Sequence, residues 1–151
     1  MQERRAGAPC PLYHDAVELI GRRWTGAILA VLLETGPLRF RQIAQAVPDL
    51  SDRLLSERMR ELEARGLVER TELDVGVQYA LTEMGRDFIP ALAALTSWGD
   101  RWAAPDGPPI IFEHEGCPGP IEPELRCRTC DHVIGPAQVR TRFGPGTPAE
   151  G

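Results

Sequence analysis

Apolar residues recur with a helical period in three successive segments near the start of the chain. The first helix is predicted to begin at Asp15 and to end at Gly21, since glycine commonly closes helices. Thr25 is predicted to cap the second, which runs through GAILAVLLETGP; it is apolar on nearly all sides and should be central and buried. In the third helix, which Pro48 ends, apolar residues recur at the i, i+3, i+4 and i+7 positions Phe40, Ile43, Ala44 and Val47.

A fourth helix is predicted directly after the short turn Pro48–Leu50. Ser51 supplies an N-cap oxygen, and Gly66 closes the helix. At about 100° per residue, the apolar residues of this helix share one face, namely Leu55, Met59 and Leu62. The opposite face is polar and carries Arg53, Ser56, Glu57 and Arg60. For an isolated helix this would be an ordinary solvated face, held by pairs such as Arg53–Glu57 and Glu61–Arg65.

Two strand-like runs follow this helix, LVERTEL and VQYALT, joined by a turn at Asp74-Val75-Gly76. A β-hairpin directly after a helix-turn-helix is typical of winged-helix proteins, in which the second helix of the pair enters the DNA major groove. The pattern therefore favours contacts between the polar face of the fourth helix and DNA. The alternative is a winged-helix module that binds protein without reading DNA.

The segment from Thr82 to Trp102 is predicted to form one helix, capped by Thr82 and kinked at Pro90. Large apolar residues follow a near-heptad spacing along it, at Phe88, Leu92, Leu95, Trp98 and Trp102. A small domain has little core left to cover them, so we expect a homodimer interface here. The alternative is packing onto the first helix of the same chain.

The composition changes after Ala103. Residues 104–109 form a linker, residues 110–134 a compact segment, and residues 135–151 a Gly/Pro-rich tail that we expect to be disordered. The compact segment contains an H-x2-C pair followed by a C-x2-C pair, which together supply His114, Cys117, Cys127 and Cys130. Two such pairs are typical of a zinc-ribbon-like site with one structural Zn²⁺. A redox-active C-x2-C pair and three unligated thiols are the alternatives.

Length and charge set the remaining limits. A chain of 151 residues accommodates one domain with a small appendage, here mainly α with a β-hairpin wing (α+β), and we assign residues 1–103 to the winged helix-turn-helix domain. The net charge is −5, so DNA binding must rest on a local patch. No apolar run approaches the length of a membrane span, so we expect a cytoplasmic protein without membrane contact. His14 lies near Cys10 in the sequence, but its position is more typical of a helix start than of a catalytic base, so we expect no enzymatic activity.

Three stretches carry a family resemblance: CPLYHDAVELIGRRWTGAILAVLL, RFRQIAQAVPDLSDRLLSERMRELEARGLVER and YALTEMGRDFIPALAALTSWGDRW. Over roughly Cys10 to Trp102 the chain resembles the HxlR-type winged helix-turn-helix regulators of bacteria. The resemblance implies a homodimeric repressor or activator that binds a palindromic operator in double-stranded DNA. The predicted DNA-binding residues include the polar face of the fourth helix. The full set is Arg39, Arg41, Ser51, Arg53, Ser56, Glu57, Arg60 and Arg70.

The resemblance also implies a sensor. In family members that respond to electrophiles or oxidants, the sensing cysteine precedes a proline near the N-terminus, and Cys10-Pro11 matches this pattern. A small-molecule or oxidant effector is therefore expected, with a buried structural thiol as the alternative role of Cys10. One departure from the family is the short wing tip ELDVGVQY, in which Glu72 and Asp74 would repel DNA phosphates.

Overall fold

The computed structural model describes residues 11–107 and 110–142, with the side chains described from His14 onward. The chain divides into two compact units, one formed by Ile20–Pro123 and the other by the described residues before and after that range. Cys10 lies outside the described residues. The predicted boundaries at residues 104, 110 and 135 stay a prediction.

The elements follow one another along the chain as predicted in their main features. In chain order they are α1 (Pro11–Gly21), α2 (Thr25–Thr35), β1 (Leu38–Arg39), α3 (Phe40–Ala46), α4 (Asp52–Ala64), β2 (Val68–Glu72), β3 (Val77–Leu81), α5 (Glu83–Asp87), α6 (Ile89–Ala103), β4 (Glu113–His114), β5 (Cys117–Pro120), β6 (Leu125–Arg126), β7 (Val133–Ile134) and a 3₁₀ turn at Pro136–Gln138.

Two predicted helix starts differ from the structure. Helix α1 begins at Pro11 rather than at Asp15. Proline is well tolerated in the first turn of a helix, because backbone N–H groups there have no intrahelical partner and the one that proline lacks is not needed. Thr25 is the first residue of α2 rather than its cap, and the capping position is Trp24, whose φ of 75° lies in the left-handed region. The predicted cap of α4 is confirmed, since Ser51 Oγ accepts a hydrogen bond of 3.3 Å from the Leu54 N–H.

The core of the Ile20–Pro123 unit lies between α2, α3 and α4. Helix α2 contributes Ile28, Leu29 and Leu32, which confirms its predicted central place, but its other side is not buried, since Leu33 is 41% exposed. Ile43 from α3 is fully buried, and so are the apolar residues of α4, Leu55, Met59 and Leu62, each at most 2% exposed. Each such side chain contributes about 1.5–3 kcal/mol of burial free energy, so the inner face of α4 is fixed by the fold.

The wing is part of a three-stranded sheet, whereas the sequence predicted only a hairpin. The strand order is β1-β3-β2, with Leu38 opposite Tyr79 and Arg39 opposite Gln78. The Gln78 side chain also donates a hydrogen bond of 3.1 Å to the Pro37 carbonyl. Because β3 is paired on both sides, the base of the wing is fixed to the chain that enters α3.

The segment after the wing forms two helices rather than one kinked helix. Thr82 caps α5 as predicted, since its Oγ1 accepts a hydrogen bond of 3.0 Å from the Gly85 N–H. The helix breaks at Phe88, and Pro90 lies in the first turn of α6, where its missing N–H costs nothing. At Gly85 a Cβ would overlap the carbonyl oxygen of Leu67, so only glycine permits this approach of α5 to the wing.

Two short hairpins follow α6, one in each unit. In the Ile20–Pro123 unit, β4 pairs with β5, and His114 lies opposite Cys117. In the other unit, β6 pairs with β7 through Leu125–Ile134 and Arg126–Val133. The turn between β6 and β7 is closed by a hydrogen bond of 2.9 Å from the Cys127 N–H to the His132 carbonyl.

Candidate nucleic-acid interface

Helix α4 has one buried and one exposed face, as the sequence predicted. Its inner side chains belong to the core, whereas the Arg53 side chain is 90% exposed and the Glu57 side chain 44% exposed. Arg60 is exposed and Ser56 is half-buried beside it. The outer face can therefore be occupied by a ligand without any change in the core.

The polar side chains of this outer face form two small local pairs. Arg53 Nε donates to Glu57 Oε1 at 3.2 Å, which confirms the predicted pair. Arg60 Nε donates to the Ser56 carbonyl at 3.2 Å, and its terminal nitrogen lies 3.5 Å from Ser56 Oγ. Exposed pairs of this kind contribute only about 0.2–1 kcal/mol, so both guanidinium groups can exchange them for contacts with DNA.

The second predicted pair, Glu61–Arg65, is replaced by a different ion-pair group. Glu61 accepts a hydrogen bond of 2.7 Å from Arg58, and its other oxygen lies 3.0 Å from Arg22 Nε. The side chains of Arg58 and Glu61 are 15% and 19% exposed. These arginines stabilise the junction of α4 with the start of α2, which simple i,i+4 spacing did not indicate.

Two more predicted contacts lie at the start of α3. Arg39 and Arg41 are both exposed. The Arg39 backbone N–H donates to Gln42 Oε1 at 2.8 Å, which closes the first turn of α3. Arg39 thus lies at the cap of the first helix of the helix-turn-helix and Arg41 in its first turn. In proteins with this motif the first helix crosses the DNA backbone.

The wing is acidic. Its strands and tip carry three carboxylates, Glu69, Glu72 and Asp74, against the single guanidinium of Arg70. That guanidinium donates a hydrogen bond of 2.9 Å to Glu72, which raises the pKa of Arg70 above its ordinary value. The wing tip is a four-residue turn, Leu73–Gly76, closed by a hydrogen bond of 2.9 Å. A phosphate near Arg70 would have to compete with Glu72.

The predicted dimer residues fall into two groups. Leu95, Trp98 and Trp102 are 46%, 65% and 69% exposed. Phe88 and Leu92 are half-buried within the chain. Leu92 Cδ1 lies 3.1 Å from the position that a Cβ on Gly26 would occupy, so Leu92 packs closely on α2. We define the exposed α6 face as Leu95, Trp98 and Trp102.

The three described cysteines, Cys117, Cys127 and Cys130, are free thiols. Backbone N–H groups of Cys130 and then Thr129 donate to the Cys127 sulfur and lower the pKa of its thiol. Within residues 11–107 and 110–142, no three His, Cys, Asp or Glu side chains are grouped so as to hold a metal ion. The zinc site stays a prediction.

Three helices form the core, and the second helix of the α3–α4 pair has one exposed face and is followed directly by a hairpin. This arrangement defines a winged helix-turn-helix protein. Residues 19–107 match the family described as HxlR-like helix-turn-helix, which is more than half of the chain. The chain therefore belongs to this family of DNA-binding transcription regulators.

Two relatives show how far the similarity extends. The HTH-type transcriptional regulator YodB of Bacillus subtilis is 38% identical over 99 residues, covering 64% of this chain and 88% of its own length. An uncharacterised HTH-type transcriptional regulator of Mycobacterium tuberculosis (strain CDC 1551 / Oshkosh) is 37% identical over 141 residues, covering 89% of this chain and 87% of its own. A match of that extent cannot end at residue 107, so this relative shares part of the C-terminal segment.

Solved structures agree with this assignment. The reduced form of YodB from B. subtilis superposes with a TM-score of 0.59 at 37% identity, over 64% of this chain and 97% of that one. YodB is also known in diamide-treated and quinone-bound forms. A Pseudomonas aeruginosa protein of 24% identity shares the fold alone, with a TM-score of 0.66, over 92% of this chain and 95% of that one.

No helix among the described residues is long and apolar enough to cross a membrane.

Proposed function

We propose that the protein is a sequence-specific transcriptional regulator that binds a palindromic operator as a homodimer. The observation that carries this proposal is the outer face of α4, where Arg53 and Arg60 are exposed while the opposite face lies in the core. Family membership supports the same function, because the relatives are named as HTH-type transcriptional regulators.

Each polar residue of the interface has a chemical role in this proposal. Arg53 and Arg60 would each donate two hydrogen bonds to guanine O6 and N7. Glu57 would accept from a cytosine amino group or orient Arg53, to which it is already bonded. Ser51, at the positive end of α4, together with Arg39, Arg41 and the partly neutralised Arg70, would contact phosphates.

The exposed α6 face would form the dimer. Two tryptophans and a leucine more than two-fifths exposed leave apolar area that a second copy can cover. A two-fold axis would then place two α4 helices on half-sites about 34 Å apart, one turn of DNA. Such an arrangement gives two short helices the combined affinity that one alone lacks.

The test is selection of DNA from a random pool with the purified protein, followed by fluorescence anisotropy on the enriched sequence at several salt concentrations. We expect a palindrome with half-sites about one turn apart and a log–log salt slope near −0.9 per phosphate neutralised. The competing protein-interaction module would enrich no sequence and would bind its partner with little dependence on salt.

We propose further that an electrophile or oxidant regulates the protein through Cys10. The support is the Cys10-Pro11 pattern together with 37% identity to YodB, whose quinone-bound and diamide-treated forms are known. Operator affinity is measured with and without benzoquinone or diamide in the parent and in Cys10→Ser. We expect the parent alone to respond; a response that survives in Cys10→Ser assigns sensing elsewhere.

We also propose that the cysteine-rich segment binds zinc through His114, Cys117, Cys127 and Cys130. The support comes from each hairpin separately: one carries His114 opposite Cys117, and the other carries Cys127 and Cys130 around a closed turn. Soft thiolates and imidazole suit Zn²⁺ better than harder cations. Elemental analysis of protein purified without a metal-affinity tag should give one zinc per chain in the parent and none in Cys127→Ser. Absence of metal from the parent refutes this proposal.

A further inference from the structure

The Ile20–Pro123 unit contains an open cavity of about 1120 Å³ that the proposed DNA interface does not use. One wall is formed by Trp24 and by the exposed side of α2 as far as Glu34. Residues 46–48, at the end of α3, and residues 110–118 form the rest. The volume is slightly above the usual range for small-molecule sites, about 300–1,000 Å³.

The walls of this cavity are apolar. Ala27, Ala30 and Val31 face it from α2, and Ile111 and Phe112 face it from the opposite side. Ile111 is 56% exposed, so its apolar surface is left in contact with water. A ligand with an apolar body would remove this surface from water, which is the main favourable term in binding to such a site.

The charge of the cavity is negative. Three carboxylates line it, those of Glu34, Glu113 and Glu115. Among the described lining residues there is no arginine, and the chain contains no lysine. His114 and Cys117, two of the proposed zinc ligands, also line the cavity beside the carboxylates. An anionic ligand would therefore meet repulsion, whereas a cation would meet charges of opposite sign.

An aromatic ring completes the site. Trp24 lines the cavity and is held in the left-handed backbone region, with φ 75°, a conformation that costs a non-glycine residue free energy and that the surrounding fold must impose. Its indole already accepts a cation, since the guanidinium carbon of Arg23 lies 4.7 Å from the ring centroid. Arg23 is thus an internal competitor for the electron-rich face of this ring.

We propose that this cavity is a binding site for lipophilic organic cations, that is, aromatic ligands with one delocalised or shielded positive charge. The apolar walls hold the body of the ligand, the carboxylates select its charge, and Trp24 and Phe112 supply aromatic faces. The site is distinct from the outer face of α4, so binding can be measured without DNA and independently of the regulator function.

The test compares two ions of the same shape and opposite charge, tetraphenylphosphonium and tetraphenylborate, by isothermal titration calorimetry of the full chain. We expect the cation to bind with one site per chain and the anion to bind at least tenfold more weakly. Equal binding of both ions overturns the proposal, because it indicates general hydrophobic adsorption. No binding of the cation at millimolar concentration overturns it as well.

Three variants place the binding in this cavity. Glu34→Gln should weaken binding of the cation about three- to tenfold. Arg23→Gln should tighten binding of the cation severalfold, because it removes the competing guanidinium. Glu63→Gln, an exposed carboxylate on α4 outside the cavity lining, is the matched control and should change nothing. Circular dichroism checks that each variant is folded. If Glu34→Gln and Glu63→Gln change the affinity for the cation equally, the binding site does not lie in this cavity.

Discussion

Two arginines on α4, two positions apart, should affect different properties of the protein when each is replaced by alanine. Arg60 lies on the exposed face and bonds only within its own helical turn among the hydrogen bonds described. Arg58 is 15% exposed and bonds to Glu61 at 2.7 Å. Arg60→Ala is therefore expected to impair DNA binding alone, and Arg58→Ala to impair folding alone.

The magnitudes follow from these contacts. A base-contacting arginine contributes about 1–3 kcal/mol per half-site, and two independent half-sites add to about 2–6 kcal/mol. Arg60→Ala should thus weaken operator binding from about thirtyfold to more than ten-thousandfold, with unfolding free energy within about 0.5 kcal/mol of the parent. A charge-assisted hydrogen bond contributes about 1.5–3 kcal/mol, but Glu61 keeps Arg22 at 3.0 Å, so Arg58→Ala should cost about 1–2 kcal/mol of stability.

The assays are anisotropy with the selected operator and thermal unfolding followed by circular dichroism. For a chain of 151 residues, a loss of about 1–2 kcal/mol should lower the Tm of Arg58→Ala by about 2–8 °C and leave its operator affinity unchanged at a temperature where it is fully folded. If Arg60→Ala binds like the parent, or if the two variants exchange these effects, α4 does not use this face to recognise DNA.

The remaining predictions concern the core, one close backbone approach and the dimer. Leu55→Ala should lower the unfolding free energy by about 2.5–5 kcal/mol in urea titration, because Leu55 is fully buried; a loss below 1 kcal/mol contradicts its place in the core. Gly85→Ala should be more damaging than a usual surface substitution, since its Cβ would overlap the Leu67 carbonyl; an unchanged Tm refutes that approach. Trp98→Ser should shift sedimentation equilibrium towards monomer, whereas Val75→Ser, at a site 70% exposed on the wing tip, should not.

The helices that the sequence predicted best are those in which one strong local signal marks each end. Ser51 and Gly66 bracket α4, and its apolar spacing fixed the buried face correctly. The wing was also predicted, because its turn residues separate two strand-like runs. Burial of one helical face is a local property of sequence, so the two-faced α4 could be derived before any tertiary contact was known.

What escaped prediction depends on contacts between distant parts of the chain. The two-residue strand β1 exists only because Leu38 and Arg39 pair with β3. Two residues are too few to show a strand periodicity, so the sequence could not predict it. Glu61 forms an ion pair with Arg22, which is far away in sequence, and not with the predicted partner Arg65. The cavity beside α2 was missed for the same reason, since its opposite wall comes from residues 110–118.

The position of β2 at the edge of the sheet has a consequence for how the protein avoids self-association. One side of β2 pairs with β3, and the strand order β1-β3-β2 leaves its other side without a partner strand within the described chain. A free edge invites strands from other molecules, especially while the chain is folding. Glu69, Arg70 and Glu72 are exposed along this edge, and charged side chains oppose the close, flat approach that an added strand requires. The same charged residues that set the electrostatics of the wing towards DNA thus also oppose strand addition at this edge of the sheet.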